Sequence, residues 1–282
     1  MTPDGDLRDK PARATVAGLA AFVGGPADGP AVVLLPGYSG SKEDFLPVLP
    51  LLAAAGLRAV AVDLRGQYES AGDPDGPDSQ FSLDNLASDV ASAAGELGGP
   101  VHLVGHSFGG LVARAVLLAY PKTLASVTFL GSGPAAIGGP RALALRSMFA
   151  IHAQSGIGAV WEGTRAIDPF PRSAAELTFL RGRFFASSER GMLVMGEALL
   201  KEPDRVAEAA AMATLHALPL LVTHGVQDDA WLPAQQADMA VRLGARYAVI
   251  PDAMHSPAAQ NPAGTAEVLV SFIRDAQARA AA

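Results

Sequence analysis

Ser107 is placed as a nucleophile would be. It lies in Gly105-His106-Ser107-Phe108-Gly109-Gly110, after an apolar run at 101–104 and before an apolar, glycine-to-alanine-rich run at 108–120. The G-x-S-x-G spacing is short enough to arise by chance, so its weight comes from that context. A serine on a tight strand-to-helix turn is held in a strained backbone and projects its hydroxyl from the carboxyl end of the strand. Glycines two residues before and two after let strand and helix approach without Cβ clashes. The dipole of the following helix favours a negative oxygen at its N-terminus. Such a hydroxyl attacks a carbonyl if a base takes its proton and an acid orients that base. Of the six histidines, His255 occupies the loop 251–257, between the last strand-like run and the last helical segment. A loop there puts an imidazole over the carboxyl edge of a sheet, near Ser107. His102 and His224 read as packed structural residues, and the His106 ring should turn away from the scissile bond. Adjacent acids, Asp228 and Asp229, follow the apolar run 218–223.

The elements that must position these groups are legible as a pattern. Short, nearly continuous apolar runs occur at 31–35, 57–62, 101–104, 127–130, 218–223 and 246–250. Strands buried on both faces read this way. Helical spacing falls between them at 42–55, 82–97, 108–120, 233–243 and 263–277. Alternating strands and helices predict right-handed crossovers and an α/β fold with a mostly parallel, doubly wound sheet. Residues 12–23 could add an antiparallel edge hairpin. The alternation stops between 135 and 215, where helices are predicted at 141–154, 174–185 and 192–212 without a strand. We therefore expect a core of residues 1–134 and 216–282 and a helical cap of residues 135–215.

Composition removes several classes. The chain has 282 residues, 50% of them hydrophobic and 17% charged, with a net charge of −7. That is a folding composition, not a disordered one, and an acidic chain has no general attraction for nucleic acid or an anionic membrane. No cysteine is present, which excludes a thiol nucleophile, disulfides and thiolate metal sites. No metal-ligand spacing, P-loop or dinucleotide fingerprint occurs. The acidic loop 73–84 fails the calcium-loop template, with its glycine misplaced and Asp84 at the twelfth position. Residues 1–13 mix both charge signs, which does not predict a secretory leader. No run reaches the ~18 uninterrupted apolar residues of a spanning helix. The expectation is a cytoplasmic protein without metal or cofactor, acting on a small molecule, with no nucleic-acid or membrane partner and an undetermined oligomeric state.

With the elbow, the strand order and the late histidine together, the sequence resembles the α/β-hydrolase superfamily over nearly all of the chain outside 135–215. The resemblance implies a triad in the chain order Ser107, acid, His255. Family members carry the acid three residues after a strand-end glycine and often four before a proline. Here Gly225 points to Asp228 and Pro233 to Asp229. Distance from the strand end favours Asp228, leaving Asp229 to cap the helix that starts at Pro233. The resemblance assigns the oxyanion hole to the backbone N–H groups of Tyr38 and Phe108. Pro36 replaces the family's usual histidine before Gly37, which removes a side chain that often anchors this loop. Asp63-Leu64-Arg65-Gly66 is similar to the family's D-x-R-G turn, with Asp63 and Arg65 read as structural and Tyr68 as a pocket residue. In the cap, Met148 and Trp161 are pocket candidates. Phe149, Phe170, Phe179, Phe184, Phe185, Met192 and Met195 mainly pack the cap against the core, and Arg181 and Arg183 belong in solvent. The implied function is a serine hydrolase of small, largely apolar carboxylic esters. Lactone or carbon–carbon bond hydrolysis, or cofactor-free perhydrolysis, would use the same triad. A catalytically silent binding module would use only the pocket.

Overall fold

A computed structural model of the chain describes residues 11–167 and 171–281. The first ten residues and Phe170 lie outside that description. Eight strands form one sheet: β1 (Ala12–Val16), β2 (Leu19–Gly24), β3 (Ala31–Leu35), β4 (Arg58–Val62), β5 (Val101–His106), β6 (Leu124–Leu130), β7 (Leu220–Gly225) and β8 (Arg246–Ile250). Their order is β1-β2-β4-β3-β5-β6-β7-β8. Strands β3 to β8 are parallel, while β1 and β2 join as an antiparallel hairpin at the β4 edge. The hairpin turns at Ala17 and Gly18, both with positive φ (48° and 82°), as a two-residue turn requires.

The helices are α1 (Leu49–Ala54), α2 (Leu83–Glu96), α3 (Phe108–Ala119), α4 (Gly139–Ile167), α5 (Ala174–Ala186), α6 (Glu189–Lys201), α7 (Val206–Leu215), α8 (Pro233–Leu243), α9 (Pro257–Gln260) and α10 (Pro262–Ala281). Alternate side chains of the central strands feed two cores. Val33, Leu35, Leu103 and Val127 face α2, α3, α7 and α8, whereas Val32, Leu34, Val104 and Leu130 face α1 and α10. Burial on both faces explains why these strands read as continuous apolar runs.

Two expected helices are divided, each by proline. The segment expected at 42–55 is a short 3-10 turn, Lys42–Phe45, followed by α1; Pro47 and Pro50 lack the N–H a continuous helix needs. The segment expected at 192–212 is α6 and α7, separated around Pro203. The helix expected at 141–154 extends as α4 to Ile167, with a break at Gly156 (φ 74°). Among the described residues, four helices thus separate β6 from β7 as a helical insertion. No helix among the described residues is long and apolar enough to cross a membrane.

Candidate active site

Ser107 follows β5 with φ 53° and ψ −116°, a conformation that costs a non-glycine residue energy. The surroundings enforce it. Ser107 N–H donates to Leu130 O (2.9 Å) and Gly110 N–H to Ser107 O (2.9 Å). A Cβ on Gly105 would lie 2.2 Å from Gly109 O, and one on Gly109 would lie 2.6 Å from Leu35 O. No side chain fits at either position, so β5 and α3 approach as closely as the sequence pattern predicts. From Phe108 to Leu117, α3 is buried on every side, which locks the turn from behind.

Parallel strands bring the other groups to the same edge. Asp228 follows β7 and His255 follows β8. His255 Nε2 lies 3.0 Å from Ser107 Oγ, and His255 Nδ1 lies 3.0 Å from Asp228 Oδ1. In the tautomer this chain requires, Nδ1–H donates to the carboxylate and Nε2 accepts from the hydroxyl. The Asp228 side chain is fully buried, and burial alone would raise its pKa. The hydrogen bond and charge of His255, with donation from Ala230 N–H (2.9 Å) and Gln236 Nε2 (3.1 Å), outweigh this and hold it below the ordinary carboxylate value.

The acid and histidine loops support each other. Val226 N–H donates to Ile250 O and Gln227 N–H to Ala253 O. Gly225 has no room for a Cβ, which would sit 2.0 Å from Met254 O. His106 Nε2–H donates to His255 O (2.7 Å), and the two rings stand 5.1 Å apart. The His106 ring is therefore turned to the back of the histidine loop. Burial, followed by the neighbouring His255, pushes its pKa down to about 4, so the ring is neutral at pH 7. Trp231 is buried against Gly133, where a Cβ would come within 2.1 Å of the indole, and its Nε1–H donates to Ala135 O (3.1 Å).

Asp229 does not cap α8. It is exposed and pairs with Arg141 of α4 at 2.8 Å. The N-cap of α8 is Leu232, whose N–H donates to Gln235 Oε1. Helix α8 starts at Pro233, so Asp229 lies too far upstream to reach its first N–H groups. His224 and His102 are packed as expected, against Tyr247 Oη (2.8 Å) and Ser126 Oγ (2.8 Å).

The Tyr38 loop touches the elbow directly. A Cβ on Gly37 would lie 3.3 Å from both Ser107 Cβ and His106 Nδ1. Among the described residues, neither the Tyr38 N–H nor the Phe108 N–H donates to a protein acceptor. The Tyr38 phenol is buried, which raises its pKa, and donates to Met192 O of α6 (2.8 Å). A Cβ on Gly196 would meet both Tyr38 Oη and the Phe149 ring. The insertion therefore reaches the residue after Gly37.

The turn 63–70 is structural and more connected than its motif suggests. Buried Asp63 accepts from Lys42 N–H (2.7 Å) and Nζ (2.9 Å), and the Lys42 ammonium also meets Glu69 (2.7 Å) and Glu43 (3.0 Å). Arg65 pairs with Asp89. The Tyr68 ring lies over Lys42 Nζ (4.9 Å) and edge-on to Phe179 (5.9 Å). Met148 is half-buried on α4. Trp161 packs within the insertion on Phe184 (5.4 Å) and Phe185 (6.2 Å). Arg183, expected in solvent, forms an ion pair with Asp44 (2.6 Å) that ties α5 to the core; Asp44 offers it a carboxylate across the seam. Arg181 stacks on Phe185 (4.9 Å). Gln67 and Gln236 hold the site's backbone and its acid, respectively. Sequence reading missed both, because an amide carries no motif until its partners are known.

A doubly wound parallel sheet with a strained serine elbow, and with a histidine and a buried acid returned to it by the last two strands, is how an α/β hydrolase is built. The chain belongs to the alpha/beta hydrolase family, whose model matches residues 32–268. It is 38% identical over 111 residues to a Variovorax paradoxus protein named as the carbamate hydrolase RutD, covering 39% of this chain and 41% of that one. The chain spans less than half the length of the curated relatives it matches. Among solved structures, an enol-lactonase from Burkholderia xenovorans superposes with TM-score 0.74 at 22% identity, over 93% of this chain and 100% of that one. A structure from work on carboxylesterases of Nitrososphaera gargenis superposes with TM-score 0.74 at 16% identity, over 95% and 100%. Likeness at these identities establishes the fold.

Proposed function

We propose that the protein cleaves small, largely apolar carboxylic esters through Ser107, His255 and Asp228. The observation that carries this reading is the unbroken hydrogen-bond chain from Ser107 Oγ through His255 to Asp228. In the proposed cycle Ser107 Oγ attacks the ester carbonyl carbon, and its proton passes to His255 Nε2. Asp228 keeps Nδ1–H oriented and stabilises the imidazolium without taking the proton. The Tyr38 and Phe108 N–H groups hold the oxyanion; donors of this kind are each worth about 10²- to 10³-fold in turnover. Collapse expels the alcohol, which leaves with the His255 proton. Water, deprotonated by His255, then attacks the acyl-enzyme and releases the carboxylic acid and Ser107.

Residues 135–215 serve as a lid in this reading, because Met192, Gly196 and Phe149 reach Tyr38. Tyr68, Met148 and Trp161 shape the acyl pocket, Trp161 through its packing on Phe184 and Phe185. An apolar lid suits an apolar acyl group. The carbamate hydrolase, enol-lactonase and carboxylesterase names attached to relatives and neighbours belong to the same carbonyl chemistry.

The test is labelling with a fluorophosphonate, run beside nitrophenyl esters of rising chain length. Wild type should label and turn over short and medium esters, and Ser107→Ala should do neither. An unlabelled wild type would sink the serine-nucleophile reading. Labelling without turnover of any ester would move the substrate to another acyl class.

A further inference from the structure

The proposed oxyanion loop carries Pro36 before Gly37, and a buried side-chain amide, Gln67, bonds its backbone. Gln67 is 2% exposed. Its Nε2 donates to Gly37 O at 2.7 Å and lies 3.4 Å from Tyr38 O, while its Oε1 accepts from Leu64 N–H at 3.0 Å. The Leu64 contact fixes the amide's orientation: a flipped side chain would face oxygen to oxygen at Gly37 and N–H to N–H at Leu64. Gln67 is itself anchored, donating its backbone N–H to Leu64 O and accepting from Ser70 N–H.

Gly37 O and Tyr38 N–H belong to one peptide unit. No cis peptide occurs among the described residues, and in a trans unit the carbonyl and the N–H point in opposite directions. A group that fixes the Gly37 carbonyl therefore aims the Tyr38 N–H. A Cβ on Gly37 would crowd Ser107 and His106 at 3.3 Å, and a glycine peptide rotates readily unless tethered; here Gly37 O accepts from Gly40 N–H (3.1 Å) and, more closely, from Gln67 Nε2. The neighbours of Gln67 are tied to the insertion as well. Tyr68 N–H donates to Ser187 Oγ, and Ser188 N–H donates to Gly66 O.

We infer that Gln67 is a positioning residue, whose side-chain amide holds the Gly37–Tyr38 peptide so that the Tyr38 N–H points at the oxyanion formed on attack by Ser107. The inference rests on the proposed role of Ser107. Gln67 touches neither nucleophile nor substrate, and acts through the direction of one N–H.

Two variants test it. Gln67→Met keeps the length and removes the donor. Gln67→Glu keeps the shape, loses the donor when ionised and regains an O–H donor when protonated. The readouts are the second-order rate of fluorophosphonate labelling at Ser107, kcat and KM on nitrophenyl butyrate, and thermal unfolding. Gln67→Met should lower labelling and kcat about 10- to 100-fold, less than complete loss of an oxyanion donor, with KM within about threefold. For Gln67→Glu, the labelling rate relative to wild type should rise as pH falls and the carboxyl gains its proton. A passive packing residue would not produce that recovery.

Wild-type labelling rates in folded variants would overturn the inference. So would a loss carried by KM alone, or a Gln67→Glu ratio that ignores pH. If neither variant folds, Gln67 belongs to the stability of the core and the inference also fails. An unlabelled wild type refutes the Ser107 reading instead, so the two failures are distinguishable.

Discussion

From Val101 to Leu117 every residue except His106 is buried, whereas the thirteen residues of α5 bury none. Helix α5 reaches the core at Asp44 through Arg183, and the two regions are fixed in different ways. The elbow is determined by backbone packing. Glycines at 105 and 109 admit no Cβ, and α3 is enclosed in apolar side chains. The insertion is attached in two ways: α6 and α7 bury Met195, Leu199, Val206 and Ala209 in the sheet's core, while α5 and the start of α6 meet the core along a polar seam, Arg183 with Asp44, Arg190 with Asp78 and the carbonyls of Pro74 and Gly76, and Met192 with Tyr38. A frame that holds the proposed nucleophile in one position uses close packing, which has few alternatives. A segment held by exposed polar contacts opens at lower cost, which makes α5, with no buried residue, the movable part of the proposed lid.

The comparison breaks first at the acid pair. Asp228→Asn should lower kcat about 10³- to 10⁴-fold, while Asp229→Asn, which removes one exposed pair with Arg141, should stay within about twofold, since such pairs are worth at most about 1 kcal/mol. The reverse pattern in steady-state kinetics would move the acid to Asp229.

Glycine substitutions sharpen it next. Gly109→Ala drives a methyl into the Leu35 and Pro36 carbonyls and should cost about 3 kcal/mol or more, in the range of the larger single-mutant effects. Gly182→Ala in α5 meets nothing within 4 Å and should stabilise by about 0.5–1 kcal/mol through helix propensity. Denaturant melts decide both, and equal costs at the two positions would erase the distinction.

Acid should act on the frame. Burial lowers the pKa of both His102 and His106 from 6.5 to about 4. The unfolded chain takes up these protons near 6.5 and the folded chain only near 4. Stability is therefore full above about 6.5 and falls as pH drops toward 4, by up to about 1.4 kcal/mol per pH unit for each histidine. His102→Gln should halve that slope in unfolding midpoints taken at pH 7, 6 and 5; an unchanged slope would assign the acid response elsewhere.

The smallest effect belongs to the seam. Arg183→Ala should cost about 1 kcal/mol or less, with any kinetic change appearing in KM. A large loss of kcat would show that the seam governs the chemistry itself.

The frame was readable in the sequence because its physics is local. Strands covered on both faces give continuous apolar runs, and the elbow needs small residues at fixed offsets from Ser107. Ser107, Asp228 and His255 sit just past strand ends, which puts them at one edge of a parallel sheet; the choice of Asp228 as the acid comes from the family resemblance. The insertion was harder to read. Pro203 ends a helix whose apolar periodicity continues past it, α4 runs on beyond 154 to Ile167 across a break at Gly156, and Arg183 looked like any surface arginine until Asp44 faced it. The bond from Gln67 to Gly37 spans thirty residues and leaves no local trace.

The chain's two tryptophans fall one on each side of the seam. Trp231 is sealed beside the Asp228 loop, and Trp161 stacks with Phe184 and Phe185 in the insertion. The protein thus carries its own optical label in each region. If the insertion loosens first on heating, intrinsic emission should shift in two steps, and Trp161→Phe should delete the earlier one. A single step in both proteins would mean that seam and frame melt together.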